Sequence, residues 1–106
     1  MKIIEVSHDG IKFDNEKEIT YSHDQDCCEY NYADFEQLDQ EAINFDFDED
    51  LIFQGVEDAG FRFGNENRRM FFIPCYSSQN GYYSSDIDVY YDGKEVLRVF
   101  CEWING

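Results

Sequence analysis

Ile87-Asp88-Val89-Tyr90-Tyr91-Asp92-Gly93-Lys94-Glu95-Val96-Leu97-Arg98-Val99-Phe100-Cys101-Glu102-Trp103 is the stretch that decides the fold class. Apolar side chains occupy alternate positions on both sides of Asp92-Gly93, which is the period of a strand with one face in a core. A two-residue turn would set Val89 opposite Val96 and throw the two apolar faces out of step. A three-residue loop, Asp92-Gly93-Lys94 with Gly93 left-handed, sets Val89 opposite Leu97 and Ile87 opposite Val99. The second register is expected, and it turns Cys101 toward the core, where free cysteines usually sit.

The same period runs outward from this hairpin. Ile4 and Val6, Ile11 and Phe13, and Ile19 and Tyr21 read as three strands of a meander, with turns at Asp9-Gly10 and Asp14-Asn15. Continued alternation places His8 and His23 at strand ends on the inward side. Ile43, Phe45 and Phe47 alternate with Asn44, Asp46 and Asp48, Leu51–Val56 and Phe61–Phe63 follow, and Met70–Cys75 reads as a central strand whose far end Pro74 sends to an edge or a bulge. Between them lies one predicted helix, near residues 32–42. Asn31 would cap it, Asp34 would suit its first turn, and Phe35, Leu38 and Ala42 would form its apolar face. The expected fold is therefore α+β, mainly antiparallel β, in a single compact domain spanning 1–106.

Composition narrows the function classes. Of 106 residues, 18% are aromatic, which supplies a core and argues against disorder. Net charge is −16, and residues 1–58 carry 18 of the 24 acids but only Lys2, Lys12 and Lys17 as bases. Such a field repels nucleic acid and anionic membranes and attracts basic proteins or cations. Met1-Lys2-Ile3-Ile4-Glu5 reaches charge too early for an export leader, and no stretch approaches a membrane span. A cytoplasmic protein with free thiols is expected.

Two segments carry a resemblance: His23-Asp24-Gln25-Asp26-Cys27-Cys28-Glu29, and Pro74-Cys75-Tyr76-Ser77-Ser78-Gln79-Asn80-Gly81-Tyr82-Tyr83-Ser84-Ser85-Asp86. From about residue 10 to the hairpin the chain resembles a family of small bacterial and phage proteins known only as a domain of unknown function. The resemblance implies no activity.

Four features have chemical content. His23, Cys27 and Cys28, with distant Cys75, Cys101 or His8, have the donor types of a zinc site, but adjacent cysteines diverge and one metal rarely takes both. Asp24, Asp26 and Glu29 disfavour the thiolate that a cysteine nucleophile needs. Asp46, Asp48, Asp50 and Glu57 match four ligand positions of a calcium loop, although Leu51 stands where its sharp turn requires glycine. The polar, tyrosine-rich Gln79–Ser85 stretch suits a contact surface. With no phosphate loop, serine elbow or zinc-protease motif, an enzyme ranks last. The leading expectation is an acidic protein-binding module, an inhibitor, immunity protein or mimic of DNA charge. It would engage a basic partner through Asp24, Asp26, Glu29, Asp34, Glu36, Asp39, Glu41, Asp46, Asp48, Glu49 and Asp50. The alternative is a zinc- or calcium-binding module without catalysis.

Overall fold

A computed structural model describes residues 1–22, 30–79 and 85–105. Ten strands account for most of it: β1 (Ile3–Ser7), β2 (Gly10–Phe13), β3 (Glu18–Ser22), β4 (Tyr30–Ala33), β5 (Ile52–Val56), β6 (Gly60–Gly64), β7 (Met70–Gln79), β8 (Asp86–Tyr91), β9 (Lys94–Phe100) and β10 (Glu102–Asn105). The first sheet runs β1-β2-β3-β8-β9 and is antiparallel throughout. The second runs β10-β7-β6-β5, with β4 also paired to β7. β10 lies parallel to β7, and the other ladders of this sheet are antiparallel.

The C-terminal hairpin has the expected pairing by a different route. Val89 lies opposite Leu97 and Ile87 opposite Val99, but Tyr91 pairs directly with Lys94, so the turn holds only Asp92 and Gly93. Both have positive φ, 53° and 76°, the requirement of the tight turn whose twist matches that of the strands. The register shifts between Val89 and Tyr90, leaving Val96 as the extra residue. A bulge, not a longer loop, brings the two apolar faces into step. Cys101 is buried as expected.

The meander forms where the alternation places it, with one phase correction. Ile3 pairs with Phe13 and Glu5 with Lys12, so an irregularity at Ile4 sends that side chain to solvent while Ile3 and Val6 both face the core. His8 falls in the following turn and is exposed beside Asp9, not inward. At Gly10 a Cβ would collide with the carbonyl oxygen of Ile19, so the β2–β3 approach depends on glycine.

The predicted helix is absent, and the fold is correspondingly all-β. Tyr30–Ala33 pairs with Ser78–Cys75 as β4, and two short 3₁₀ turns follow, Phe35–Gln37 and Gln40–Asn44. Leu38 and Asp39 take extended backbone between them, with ψ of 135° and 130°. A helix of this length is marginal in water, whereas Tyr30 and Tyr32 favour a pleated surface. Phe35, Leu38 and Ala42 are buried as the pattern requires, but Asp39, not Asn31, supplies a cap by accepting from the Glu41 N–H. Phe45–Phe47 is extended without joining a ladder. Phe47 is its fully buried anchor, packed among Phe13, Phe45, Phe63 and Phe71 at 4.7–5.7 Å.

β7 runs straight through Pro74. The proline pairs with Gly60, its carbonyl accepts from the Asp34 N–H at 2.8 Å, and the Cys75 N–H donates to Ala59. Pro74 thus marks where β7 exchanges β6 for β4 as its ladder partner, so the missing N–H costs no bond. The inward residues Phe71, Ile73, Cys75 and Ser77 are buried. They share one core with Ile11, Phe13, Ile19, Ile87, Val89 and Val99 of the other sheet. At Cys101 the chain leaves the first sheet and enters the second.

Candidate binding surface

The alternation that buries Phe71, Ile73, Cys75 and Ser77 turns Phe72 and Tyr76 outward. β4 adds two more aromatic residues to that face, because Tyr32 pairs with Tyr76 and Tyr30 with Ser78. The three tyrosines form a ladder, with ring centroids 4.9 Å apart for Tyr30–Tyr32 and 5.6 Å for Tyr32–Tyr76. Tyr30 is 51% exposed and Phe72 42%. Tyr32 and Tyr76 are half-buried.

Carboxylates and a carboxamide border the ladder. Gln37 donates from Nε2 to Asp34 Oδ2 at 2.7 Å and to the Tyr76 hydroxyl at 3.2 Å, tying the first 3₁₀ turn to the rings. Glu102 is the ladder partner of Tyr76 on β10 and shares its face. Burial, then the Asp34 carboxylate and the neighbouring tyrosines, push the Tyr32 phenol above its ordinary value. Among the described residues Asp34, Glu36 and Glu102 form no ion pair.

Four other acids singled out in the sequence, Asp39, Glu41, Asp46 and Asp48, are paired with cations. Arg69 binds Asp39 at 2.8 Å and Glu41, lying 4.7 Å from the Phe71 ring centroid. Arg68 reaches Asp48 at 3.6 Å and covers Phe45. Asp46 pairs with the Met1 ammonium at 3.1 Å, which holds its carboxyl below the ordinary carboxylate value. Glu49 accepts from Asn15, and Asp50 is exposed with its carbonyl bound to Asn65. Asp24, Asp26 and Glu29 lie outside the described residues, as do His23, Cys27 and Cys28.

The calcium-loop pattern does not assemble. Asn65, almost wholly buried, accepts from the Asp48 N–H at 2.8 Å and donates to the Asp48 and Asp50 carbonyls at 2.9 and 3.2 Å, so it binds the backbone of this segment and not its carboxylates. Asp46 and Asp48 diverge toward Met1 and Arg68, and Glu57 sits beyond β5 in the turn to β6. Among the described residues no three His, Cys, Asp or Glu side chains gather as a metal site, and no helix is long and apolar enough to cross a membrane.

A shallow cleft of about 470 Å³ opens between the end of β1 and the 3₁₀ turns, lined by Val6, His8, Glu36, Leu38, Gln40 and Ile43 among others. Glu36 thus borders a second recess on the same 3₁₀ turn that holds Gln37 against Tyr76.

Sequence reasoning missed the tyrosine ladder because it placed Asn31 at a helix start. The available signal was Tyr30-Asn31-Tyr32, a period of two with polar and aromatic faces. Asn31 is fully buried, donating to the Asp86 carbonyl and accepting from Ser77 Oγ at 2.5 Å. The inward polar residue fixes which way the tyrosines point.

A family model described as a domain of unknown function (DUF7448) matches residues 1–89. The chain belongs to this family. The DUF7448 match spans Tyr30, Tyr32, Asp34, Gln37 and Tyr76, and ends at Val89 within β8; β9, β10 and Glu102 lie beyond it. No curated protein and no solved structure matches the chain. The resemblance to a domain of unknown function holds at that level, while the bacterial or phage setting is outside what the match addresses.

Proposed function

We propose that this DUF7448 protein is a protein-binding module that holds cationic side chains of a basic partner on the tyrosine ladder of β4 and β7. One observation carries the reading: three stacked, outward tyrosines stand beside Asp34 and Glu102, and among the described residues no cation reaches those carboxylates. The molecule uses the same combination twice within itself. Arg69 lies over Phe71 between Asp39 and Glu41, and Arg68 lies over Phe45 beside Asp48. An aromatic face plus a carboxylate satisfies a guanidinium both as cation and as planar donor. Tyrosine also offers contact area at low entropic cost.

The charge balance supports the reading at longer range. With 24 acids and 8 bases, internal pairing leaves a net −16. That excess would speed encounter with a basic partner and make binding fall with salt. An inhibitor, an immunity protein or a mimic of DNA charge, acting in the cytoplasm of a bacterium or on behalf of a phage, fits this chemistry.

The test is isothermal titration of the full chain with an arginine-rich peptide and a lysine-rich peptide of equal charge. Tighter binding of the arginine peptide is expected, weakened about 5–30-fold by Tyr30→Ala with Tyr76→Ala, since each exposed cation–π contact is worth ~0.5–1 kcal/mol. Equal binding of both peptides, unaffected by the tyrosine changes, would reduce the site to unspecific charge and overturn the proposal.

A further inference from the structure

Cys75 and Cys101 are both buried and fall in one layer of the core. Cys75 lies on the inward face of β7, and Cys101 occupies the corner where β9 gives way to β10. Glu102 pairs with Tyr76 and Trp103 with Ser77 in the parallel β10–β7 ladder, so one step back sets Cys101 opposite Cys75. Neighbouring strands lie ~4.8 Å apart, within the ~4.4–6.8 Å between Cα atoms that a disulfide spans. Directly opposed residues project to the same face, and both cysteines are buried there with free thiols.

We propose that Cys75 and Cys101 are a latent disulfide that clasps the sheet-crossing end of the chain to β7. The oxidant is a small-molecule disulfide. The thiolate of one cysteine attacks a sulfur of the oxidant, forming a mixed disulfide and releasing one small thiol. The second cysteine then attacks the protein sulfur of that mixed disulfide, forming Cys75–Cys101 and releasing the other small thiol. Two protein thiols are oxidised, one small disulfide is reduced, and both protons leave on the released thiols. Burial and the adjoining thiol hold Cys75 protonated in the closed fold, so exchange proceeds when β10 lifts from β7.

The experiment uses the full chain carrying Cys27→Ser and Cys28→Ser, which leaves Cys75 and Cys101 as the only thiols. After incubation with oxidised glutathione, non-reducing digestion and mass spectrometry should show a Cys75–Cys101 peptide pair. Oxidation should be faster in sub-denaturing urea, and the crosslinked chain should have an unfolding constant on the order of 10²-fold smaller, because the bond closes a loop of more than 25 residues in the unfolded chain. Two stable mixed disulfides with glutathione, or two free thiols after unfolding and refolding with the oxidant, would overturn the proposal. So would a crosslinked chain with an unchanged urea midpoint. Should the Ser variants fail to fold, the same peptide map on the natural chain decides it: Cys75 joined to Cys101 supports the clasp, and Cys75 or Cys101 joined to Cys27 or Cys28 overturns it.

Discussion

Single residues fix the close approaches on which the sheets depend. Gly60 has φ of +148°, and a Cβ there would run into the Ile73 carbonyl oxygen, so Gly60→Ala combines a strained backbone with a collision. It should lower stability by on the order of 2–4 kcal/mol in urea denaturation. Gly55 faces only Val99 Cγ1 at 3.6 Å and Leu97 Cδ1 at 3.7 Å, so Gly55→Ala should stay within ~1 kcal/mol of the natural chain. Equal losses at both positions would contradict this account of β6. Protonation offers a second check at this scale. Burial pushes the phenols of Tyr21, Tyr32 and Tyr91 above the ordinary value of 10.0. The folded chain therefore holds protons that the unfolded chain has released, so this contribution is intact below about pH 10 and is lost as pH rises above it. Phenolate absorbance in the folded protein should lag that of the urea-unfolded chain, and denaturation midpoints should fall from pH 9 to pH 11.

At the scale of elements, Phe47 is the residue that holds an irregular segment against both sheets. Its ring meets Phe13 of the first sheet and Phe63 and Phe71 of the second. Phe47→Ala should cost ~3–5 kcal/mol, measured by denaturation, whereas Phe72→Ala on the open face should change stability little. How far the elements were legible follows from the same physics. The meander, β6 and the last hairpin were readable because each has one face in the core, and alternation reports that face directly. The hairpin's pairing was readable although its cause was not, since a bulge at Val96 and a longer loop shift register by the same one residue. β4 was lost because Phe35, Leu38 and Ala42 recur at helical spacing, although Phe35 and Ala42 lie on two separate 3₁₀ turns and Leu38 on the extended step between them. Their burial is a property of the core they meet, and spacing alone does not distinguish a helix from two turns joined by an extended step. Pro74 suggested that the far end of Met70–Cys75 lies at an edge or a bulge, whereas β7 continues through it to Gln79, pairing with β6 before it and with β4 after it.

For the whole molecule, the expectation of uncompensated negative potential over the first half needs revision. Asp39, Glu41 and Asp48 are held by Arg69 and Arg68 from the second half, and Asp46 by the chain's own ammonium. Asp34, Glu36 and Glu102 are among the described acids that form no ion pair. The sequence pointed to Asp34 and Glu36 as partner-binding charges but not to the aromatic surface beside them, because Tyr32 and Tyr76 meet from strands distant in the chain. Pairing does not remove the excess: acids outnumber bases threefold. Self-repulsion should make the folded state more stable in ~0.5 M than in ~0.01 M sodium chloride. A melting temperature that falls on adding salt would mean that the ion pairs outweigh the repulsion. The central claim, that cationic groups settle on the ladder and not on acids in general, is tested most directly by an NMR titration of the labelled full chain with an arginine-rich peptide. The account predicts that the largest shift changes fall on Tyr30, Tyr32, Asp34, Gln37, Tyr76 and Glu102. Changes spread evenly over Asp46, Asp48, Glu49, Asp50 and the other surface carboxylates would contradict it.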